Sequence, residues 1–449
     1  MKVLLISANK VRAPFPVYPL ALDYLAGALT PMHTVRFLDL MHAQVEEAVP
    51  NAIAEFAPDC VGISIRNIDN SEATHSRSFI EGYRTVVRVL RNATAVPIIL
   101  GGAGFTLFPG RLLKELGADY GIAGEGERLA ALLAALETGT DPRHLPGVVT
   151  PTGDVQALQP WDGEPRRLMN PDNPIYSTYI KNGGMLNLQT KRGCLFHCIY
   201  CTYPLIEGHR LRCINPGEVA GTAKRLMELG ARYLYIADGV FNADHDHCLA
   251  IAAAFRAAGI TLPWCGFFAP LKPRDDFYRR LAEAGLTHVE FGTESLSDRM
   301  LSTYRKPFCS KDVVAAHRAA REAGLYVAHY FLLGGPGETS ESVEETLTKA
   351  AALESAVFFF FCGVRIYPGT ELCTMAVSEG QLSPTADLLE PVFYHANAIS
   401  SEEIEQMIKE QAAGRPNWVV GAGGDMMNKV MARMYAKGYT GPLWEKLIP

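Results

Sequence analysis

The sequence lacks a long hydrophobic run. Its longest, from Ala356 to Val364, is half of the roughly 18 residues that a membrane-spanning helix needs. It also lacks an excess of one charge, because 42 basic residues stand against 48 acidic ones. The apolar stretch at Met1–Ser7 is too short for a secretion signal. We therefore expect no transmembrane segment, no nucleic-acid partner and a cytoplasmic location.

Two further features are scarce. Ten cysteines among 449 residues are too few for a disulfide scaffold. The loop after the first predicted strand, residues 8–14, lacks the Gly-x-Gly-x-x-Gly of a dinucleotide-binding fold. With 48% hydrophobic and 20% charged residues, the chain is long enough for two to three folded domains.

The first 138 residues alternate strand and helix patterns. The predicted strands are apolar runs at Val3–Ser7, Val35–Leu38, Cys60–Ile65, Val96–Leu100 and Tyr120–Ala123. The predicted helices lie at Tyr18–Leu29, Ala43–Phe56, Arg77–Arg91 and Arg111–Leu116. This order predicts a five-stranded, doubly wound α/β domain of the flavodoxin-like type at residues 1–138, with its ligand site at the carboxyl ends of the strands.

Seven prolines interrupt residues 139–184, which we interpret as a linker on the surface. The alternation resumes at residue 185. Six further strands are predicted at Met185–Gln189, Tyr233–Ala237, Trp264–Phe268, His288–Phe291, Val327–Leu333 and Val357–Gly363. Six βα units predict a partial (β/α)6 barrel over residues 185–379, since a full barrel needs eight. Residues 380–449 are predicted to form a small, mostly helical cap.

Three closely spaced cysteines, Cys194, Cys198 and Cys201, follow the first of these strands. A loop with this C-x3-C-x2-C spacing can bind three irons of a cubane cluster and leave the fourth iron for a small molecule. Two alternatives stay open. A zinc site would need a fourth ligand such as His197 or Cys213, and a four-cysteine cluster would need Cys213.

With this motif and an aromatic residue before its last cysteine, the sequence resembles the radical S-adenosylmethionine (SAM) superfamily over about residues 185–372. The resemblance implies a 4Fe-4S cluster on the three cysteines and SAM at successive strand ends. In the order of the chain, the residues implied to contact SAM are Tyr200, Asp238, Glu294, Gly334, Gly335 and Arg365. Asp238 stands where the family often has Gly-Gly-Glu, so this motif is altered. In this resemblance Glu294 would accept hydrogen bonds from the ribose hydroxyls, and the two glycines would let the backbone approach the adenine. Arg365 would pair with the SAM carboxylate.

The first domain resembles the cobalamin-binding domain of B12-dependent radical SAM proteins, because glycine-rich loops follow its fourth and fifth predicted strands. The residues implied to contact cobalamin are Ser64, Arg66, Asn67, Gly101, Gly102, Glu125, Gly126 and Glu127. One motif departs from many such domains: His42 stands one position late for Asp-x-His-x-x-Gly, so we do not expect it to ligate cobalt. Arg66, placed in the cleft, would either hinder a ligand on the lower face of the corrinoid or form an ordinary ion pair.

The resemblance implies a cobalamin-dependent radical SAM enzyme that transfers a methyl group to an unactivated carbon or phosphorus of a small molecule, lipid or natural product. The alternative is another radical SAM reaction, such as cyclisation, ring rearrangement or aminocarboxypropyl transfer, with cobalamin not used for methylation. A reductant such as flavodoxin or ferredoxin would supply the electron.

Overall fold

The computed structural model describes residues 1–30, 32–152 and 161–449. The first domain begins with a sheet whose strands are β1 (Lys2–Ser7), β2 (Thr34–Asp39), β3 (Cys60–Ser64), β4 (Ile98–Gly101), β5 (Tyr120–Ile122) and β6 (Val148–Val149). Its helices are α1 (Leu20–Leu29), α2 (Val45–Phe56), α3 (Ile80–Ala93), α4 (Ala103–Leu107), α5 (Pro109–Leu116) and α6 (Leu129–Thr138). All five predicted strands and all four predicted helices are confirmed within a few residues.

The strand order of this sheet is β2-β1-β3-β4-β5-β6, which is the flavodoxin-like order with one addition. The addition corrects the prediction of five strands, because Val148 and Val149 pair antiparallel with Ile122 and Gly121 of β5. A two-residue strand between prolines gives too short an apolar pattern to be found in the sequence. The sheet therefore extends into the segment that we interpreted as a linker.

The rest of that segment is also less exposed than expected. Helix α7 (Ile175–Lys181) lies within it, and its residues Ile175, Tyr176 and Tyr179 are buried. Residues 153–160, which belong to the predicted linker, lie outside the described residues. The boundaries at 138 and 184 stay predictions.

The second sheet contains β7 (Met185–Leu188), β10 (Tyr233–Ile236), β11 (Trp264–Phe268), β12 (Leu286–Glu294), β13 (Tyr326–Leu333), β14 (Ala356–Cys362) and β17 (Trp418–Val420). Two antiparallel strand pairs, which we call hairpins although long loops connect their strands, flank this sheet. They are formed by β8 (Lys191–Arg192) with β9 (Arg212–Cys213) and by β15 (Val364–Arg365) with β16 (Phe393–Tyr394). The helices are α8 (Tyr203–Glu207), α9 (Pro216–Glu228), α10 (His245–Ala257), α11 (Phe277–Ala282), α12 (Asp298–Thr303), α13 (Ser310–Glu322), α14 (Ser340–Ala351), α15 (Glu371–Ser378), α16 (Ser401–Ala412) and α17 (Gly424–Ala436).

The six predicted barrel strands are confirmed and pair in parallel in the order in which they follow along the chain. A seventh strand, β17, pairs in parallel with β14, so the segment predicted as a mostly helical cap also extends the barrel sheet. Trp444, near the end of the same segment, is buried in one cluster with Ala328, Val357 and Phe359 of the barrel strands. Within the described residues, no helix is both long and apolar enough to cross a membrane.

Candidate functional site

The three cysteines lie together in the loop that follows hairpin strand β8. Cys194 is buried, and Cys198 and Cys201 are half-buried. Gly193 bends the chain into this loop at a φ of 86°, where a Cβ would lie 2.1 Å from the carbonyl oxygen of Arg210. Burial raises the pKa of the Cys201 thiol to about 12, so a metal must displace protons to bind here.

The donor set fits a cubane cluster, in which each thiolate binds a different iron. Among the described residues, no three His, Cys, Asp or Glu side chains converge on a single metal ion. The two residues considered as a fourth ligand differ in their surroundings. Cys213 has a free, exposed thiol, and its backbone pairs with that of Lys191 in the hairpin, while the His197 ring stacks on His209.

Glu294 and Tyr200, both predicted to bind SAM, lie beside the cysteine loop. Glu294 ends β12 in a left-handed conformation with a φ of 61°, which turns its carboxylate toward the loop. The Lys306 ammonium lies 2.9 Å from Glu294 Oε1 and 5.3 Å from the centre of the Tyr200 ring. Burial raises the pKa of Cys198, and the nearby Lys306 charge opposes this rise.

Lys306 was missed by the sequence analysis. It follows α12, twelve positions after Glu294, and no motif marks it. Only the folded chain shows that this cation faces the loop of thiols.

Gly334 and Gly335 form a tight turn after β13, as predicted. A Cβ at Gly335 would lie 2.4 Å from the Tyr304 ring, and Gly334 adopts a φ of 89°. The buried carboxylate of Glu338 accepts a bond from the Gly334 N–H and one from Ser342 Oγ. Glu338 therefore holds the turn, which leaves the backbone at the strand end free to approach a flat ring.

Two predicted SAM contacts are not supported by the structure. Asp238 is 3% exposed, and its carboxylate accepts bonds from Thr190 N at 2.8 Å and from Lys191 Nζ at 2.8 Å. The carboxylate oxygens of Asp238 therefore hold the first residues of the hairpin in place.

Arg365 is the second case. Its guanidinium forms an ion pair with Asp69 of the first domain at 2.9 Å and donates to the carbonyl oxygen of Leu388 at 2.7 Å. It therefore joins the two domains, and no SAM carboxylate is needed to satisfy it.

The predicted cobalamin residues surround a cavity of about 210 Å³ at the carboxyl ends of β3, β4 and β5. Those that line it are Ser64, Gly101, Gly102, Glu125, Gly126 and Glu127. Apolar side chains of α1 and of the strands form most of the remaining wall. A Cβ at Gly102 would lie 2.6 Å from the Ile65 carbonyl oxygen, so the cradle depends on glycine. This slot fits the nucleotide tail of a corrinoid.

The carboxylates of Glu125 and Glu127 have a different role from the one predicted. Glu127 Oε1 lies 2.7 Å from Arg192 Nη2, and Glu125 pairs with Arg212, so both carboxylates bind the β8–β9 hairpin. Besides these two carboxylates, Gly124 and Gly126 of this loop line the cavity. The same loop thus lines the cavity and holds the hairpin that leads into the cysteines.

Arg66 and Asn67 follow β3 and are exposed, but Arg66 does not face the outside of the molecule. Burial lowers its pKa, and the charge of Arg66 acts on Tyr83 and Tyr203. Tyr203 likewise keeps 39% of its surface accessible although burial raises its pKa. Arg66 and Tyr203, one from each domain, therefore lie close enough for their charges to interact while both keep accessible surface. His42 is exposed and follows the carboxyl end of the edge strand β2, and it does not line the cavity.

Two family models match the chain. Residues 6–134 match the B12 binding domain, and residues 188–350 match the radical SAM superfamily. The first match contains strands β2 to β5, and the second contains strands β10 to β13 and the three cysteines.

Three relatives are similar over most of the chain. Tryptophan 2-C-methyltransferase from Streptomyces laurentii is 25% identical, over 82% of this chain and 73% of the relative. Cytidylyl-2-hydroxyethylphosphonate methyltransferase from Streptomyces wedmorensis is 26% identical, over 86% and 84%. The radical SAM methyltransferase TsrM from Kitasatospora setae, solved with cobalamin and a 4Fe-4S cluster bound, superposes with a TM-score of 0.87 at 23% identity, over 99% of this chain and 97% of that one. Since the two models match residues of both sheets and the cysteine loop is in place, the chain carries an N-terminal B12-binding domain followed by a domain of the radical SAM superfamily.

Proposed function

We propose that this enzyme transfers a methyl group from SAM, by way of cobalamin, to a carbon atom of a small molecule. The observation that carries the proposal is the pair of ion pairs Glu127–Arg192 and Glu125–Arg212. They tie the loop of the cobalamin cavity to the hairpin that carries the cysteine loop. A corrinoid and a cluster-bound SAM would therefore lie next to the same space. The names of the two similar methyltransferases support methyl transfer, and one of them supports a carbon acceptor.

When bound, the cluster, SAM and cobalamin would supply electron transfer and the methyl group. The residues of this chain hold and orient these groups. Cys194, Cys198 and Cys201 would hold the cluster, while Glu294 would accept hydrogen bonds from the ribose hydroxyls. Lys306 holds the Glu294 carboxylate in place, since the two charged groups are 2.9 Å apart.

Arg66, which follows β3, would contact cobalamin when it is bound. Within the described residues, no side chain forms an ion pair with Arg66. Its positive charge would disfavour a cobalt-ligating side chain nearby.

The test uses anaerobically reconstituted protein, SAM carrying a labelled methyl group, a low-potential reductant, and cobalamin added or omitted. We expect S-adenosylhomocysteine to form only when cobalamin is present. Formation of 5′-deoxyadenosine alone would indicate another radical reaction, and methylthioadenosine would indicate aminocarboxypropyl transfer. Either result would overturn the proposal.

Two variants separate the cluster ligands from the alternatives. We expect Cys198→Ala to lose the visible absorbance of the cluster. The matched control Cys213→Ala should keep it, because Cys213 is exposed in the hairpin. Loss of the cluster in the control would favour a four-cysteine site.

Two further parts of the proposal concern the electron donor and the cellular location. We propose a flavodoxin or ferredoxin as the electron donor, since reduction of a cluster requires one electron at low potential. We also propose a cytoplasmic location, which the reduced state of such a cluster favours.

A further inference from the structure

The inner face of the barrel carries a wall of aromatic side chains. Trp264 and Phe268 pack toward the helices, so Phe267 between them points into the barrel. Its ring centre lies 6.1 Å from that of Tyr235 and 5.6 Å from that of Tyr330. Tyr330 in turn stacks on Phe359 at 4.9 Å.

This wall borders open space. Phe267 keeps 37% of its surface accessible although its side chain lies inside the barrel, one residue before the end of β11. A large apolar side chain exposed there has no packing partner on one side. The lumen next to it can therefore receive an apolar group of a ligand.

A buried carboxylate lies at the same level of the barrel. Glu290 pairs in register with Phe267 across the β11–β12 ladder, so both side chains point to the same side of the sheet. Glu290 is 4% exposed. Its oxygens accept hydrogen bonds from Tyr235 Oη at 3.0 Å and from Trp444 Nε1 at 2.9 Å.

Both of these donors are neutral, and within the described part of the chain no Lys, Arg or His forms an ion pair with Glu290. The nearest basic side chain on the same strand, His288, pairs with Glu445 instead. Buried carboxylates are normally paired with a cation, because burial of a lone charge costs several kcal/mol. This site has a carboxylate, an aromatic wall and open space, and among the described residues no cation pairs with the carboxylate.

We propose that Glu290 and the wall of Tyr235, Phe267 and Tyr330 recognise a protonated amine on an apolar or aromatic substrate. The ammonium would pair with the Glu290 carboxylate, and the aromatic faces would stabilise it by cation–π interaction. The apolar body of the substrate would fill the space beside Phe267. The inference rests on the proposed function, since it names the substrate class for that reaction.

The protonation of Glu290 agrees with this role. Burial raises the pKa of Glu290 to about 7, and its two hydrogen bonds oppose the rise. The titratable groups that face it are Tyr233, Tyr235, Cys265, Tyr330 and Tyr435, and burial raises the pKa of each, so all are neutral at pH 7. A bound ammonium would favour the ionised carboxylate, so binding near pH 7 should release a proton.

The competing explanation is purely structural: Glu290 could serve only to hold Trp444 and so close the barrel. The variant Glu290→Gln separates the two explanations. Its amide oxygen can still accept from Trp444 and its amide N–H can donate to Tyr235, so both hydrogen bonds survive while the charge is lost. The matched control is Glu445→Gln, which weakens the contact between the C-terminal segment and His288 but leaves Glu290 intact.

The experiment measures the binding of two matched probes to the cobalamin- and cluster-loaded enzyme by calorimetry. Tryptamine carries an ammonium, and indole-3-ethanol is its neutral counterpart. We expect the wild type and Glu445→Gln to bind tryptamine at least about tenfold more tightly than indole-3-ethanol, as a buried charge-assisted contact requires. Glu290→Gln should bind the two probes about equally.

Proton release should accompany tryptamine binding to the wild type and should be absent in Glu290→Gln, as measured in two buffers of different ionisation enthalpy. Equal affinity of the wild type for the two probes would overturn the inference. So would a preference that survives in Glu290→Gln, or no binding of either probe at millimolar concentration.

The outcomes distinguish this inference from the proposed function. Cobalamin-dependent formation of S-adenosylhomocysteine without any preference for tryptamine would remove only the amine site. A preference for tryptamine without that reaction would remove methyl transfer and leave the amine site.

Discussion

Among the residues that the sequence analysis missed, Lys306 acts most directly on the cysteine loop. Its ammonium lies 2.9 Å from the Glu294 carboxylate, and only 8% of its side chain is exposed. Burial of such a pair is tolerated because the two charges compensate each other. Removal of one partner leaves the other charge uncompensated in a partly buried site.

We expect Lys306→Met to lower the free energy of unfolding by about 2–3 kcal/mol and to weaken SAM binding about tenfold. The double variant Lys306→Met/Glu294→Gln should regain stability, because no lone charge remains, but not SAM affinity. Chemical denaturation and equilibrium dialysis with SAM measure the two effects. A double variant that is less stable than Lys306→Met would contradict this account.

The residues show how far sequence reasoning reaches at this scale. The positions of Cys194, Cys198 and Cys201 follow from their spacing, and Glu294 is implied by the resemblance to the radical SAM superfamily. Spacing does not show which neighbouring side chain forms an ion pair with a charged residue. For this reason the sequence places Asp238 and Arg365 at SAM, whereas in the structure Asp238 pairs with Lys191 and Arg365 pairs with Asp69.

At the scale of elements, the β8–β9 hairpin connects the two cofactor sites. Its Arg192 is paired with Glu127, and both side chains are nearly fully buried. Arg192 also lies over the Tyr24 ring of α1 at 5.0 Å. The hairpin is thus held by the first domain, although the chain places it within the barrel.

We expect Glu127→Gln to lower the iron content and the cobalamin content of the purified protein together, because the freed Arg192 would displace both the hairpin and the cavity loop. Metal analysis and the absorbance of bound corrinoid after desalting measure this. The control Glu47→Gln changes an exposed carboxylate on α2 and should leave both contents unchanged. Loss of iron with full retention of cobalamin would show that the two sites are independent.

Most elements could be predicted from the sequence because their strands are buried on both sides and read as continuous apolar runs. In the two large sheets, the strands that the sequence did not predict are β6 and β17, which have two and three residues. Such short strands form only because a neighbouring edge, β5 or β14, offers its backbone groups for pairing.

At the scale of the whole molecule, the domains share one interface. A single hydrophobic cluster contains Ile63 and Phe105 of the first domain together with Tyr304 and Ile366 of the second. The ion pair between Asp69 and Arg365 lies in this interface, and its side chains are 0% and 3% exposed. The domains should therefore unfold together.

We expect Asp69→Asn to lower the free energy of unfolding by about 3 kcal/mol, since it leaves the Arg365 charge buried without a partner. Unfolding should stay a single transition, because the shared apolar cluster remains. Calorimetry and urea denaturation followed by fluorescence provide the measurements. Two separate transitions in the wild type would refute the shared interface.

The hairpin contact has one more consequence, for the handling of the protein in air. Oxygen destroys exposed iron–sulfur clusters, and once the thiols lose their irons the loop after Arg192 would relax. Since Glu125 and Glu127 hold the base of that loop, the corrinoid cradle would loosen with it. During brief exposure to air, we therefore expect the red absorbance of the bound corrinoid and the brown absorbance of the cluster to decrease at the same rate.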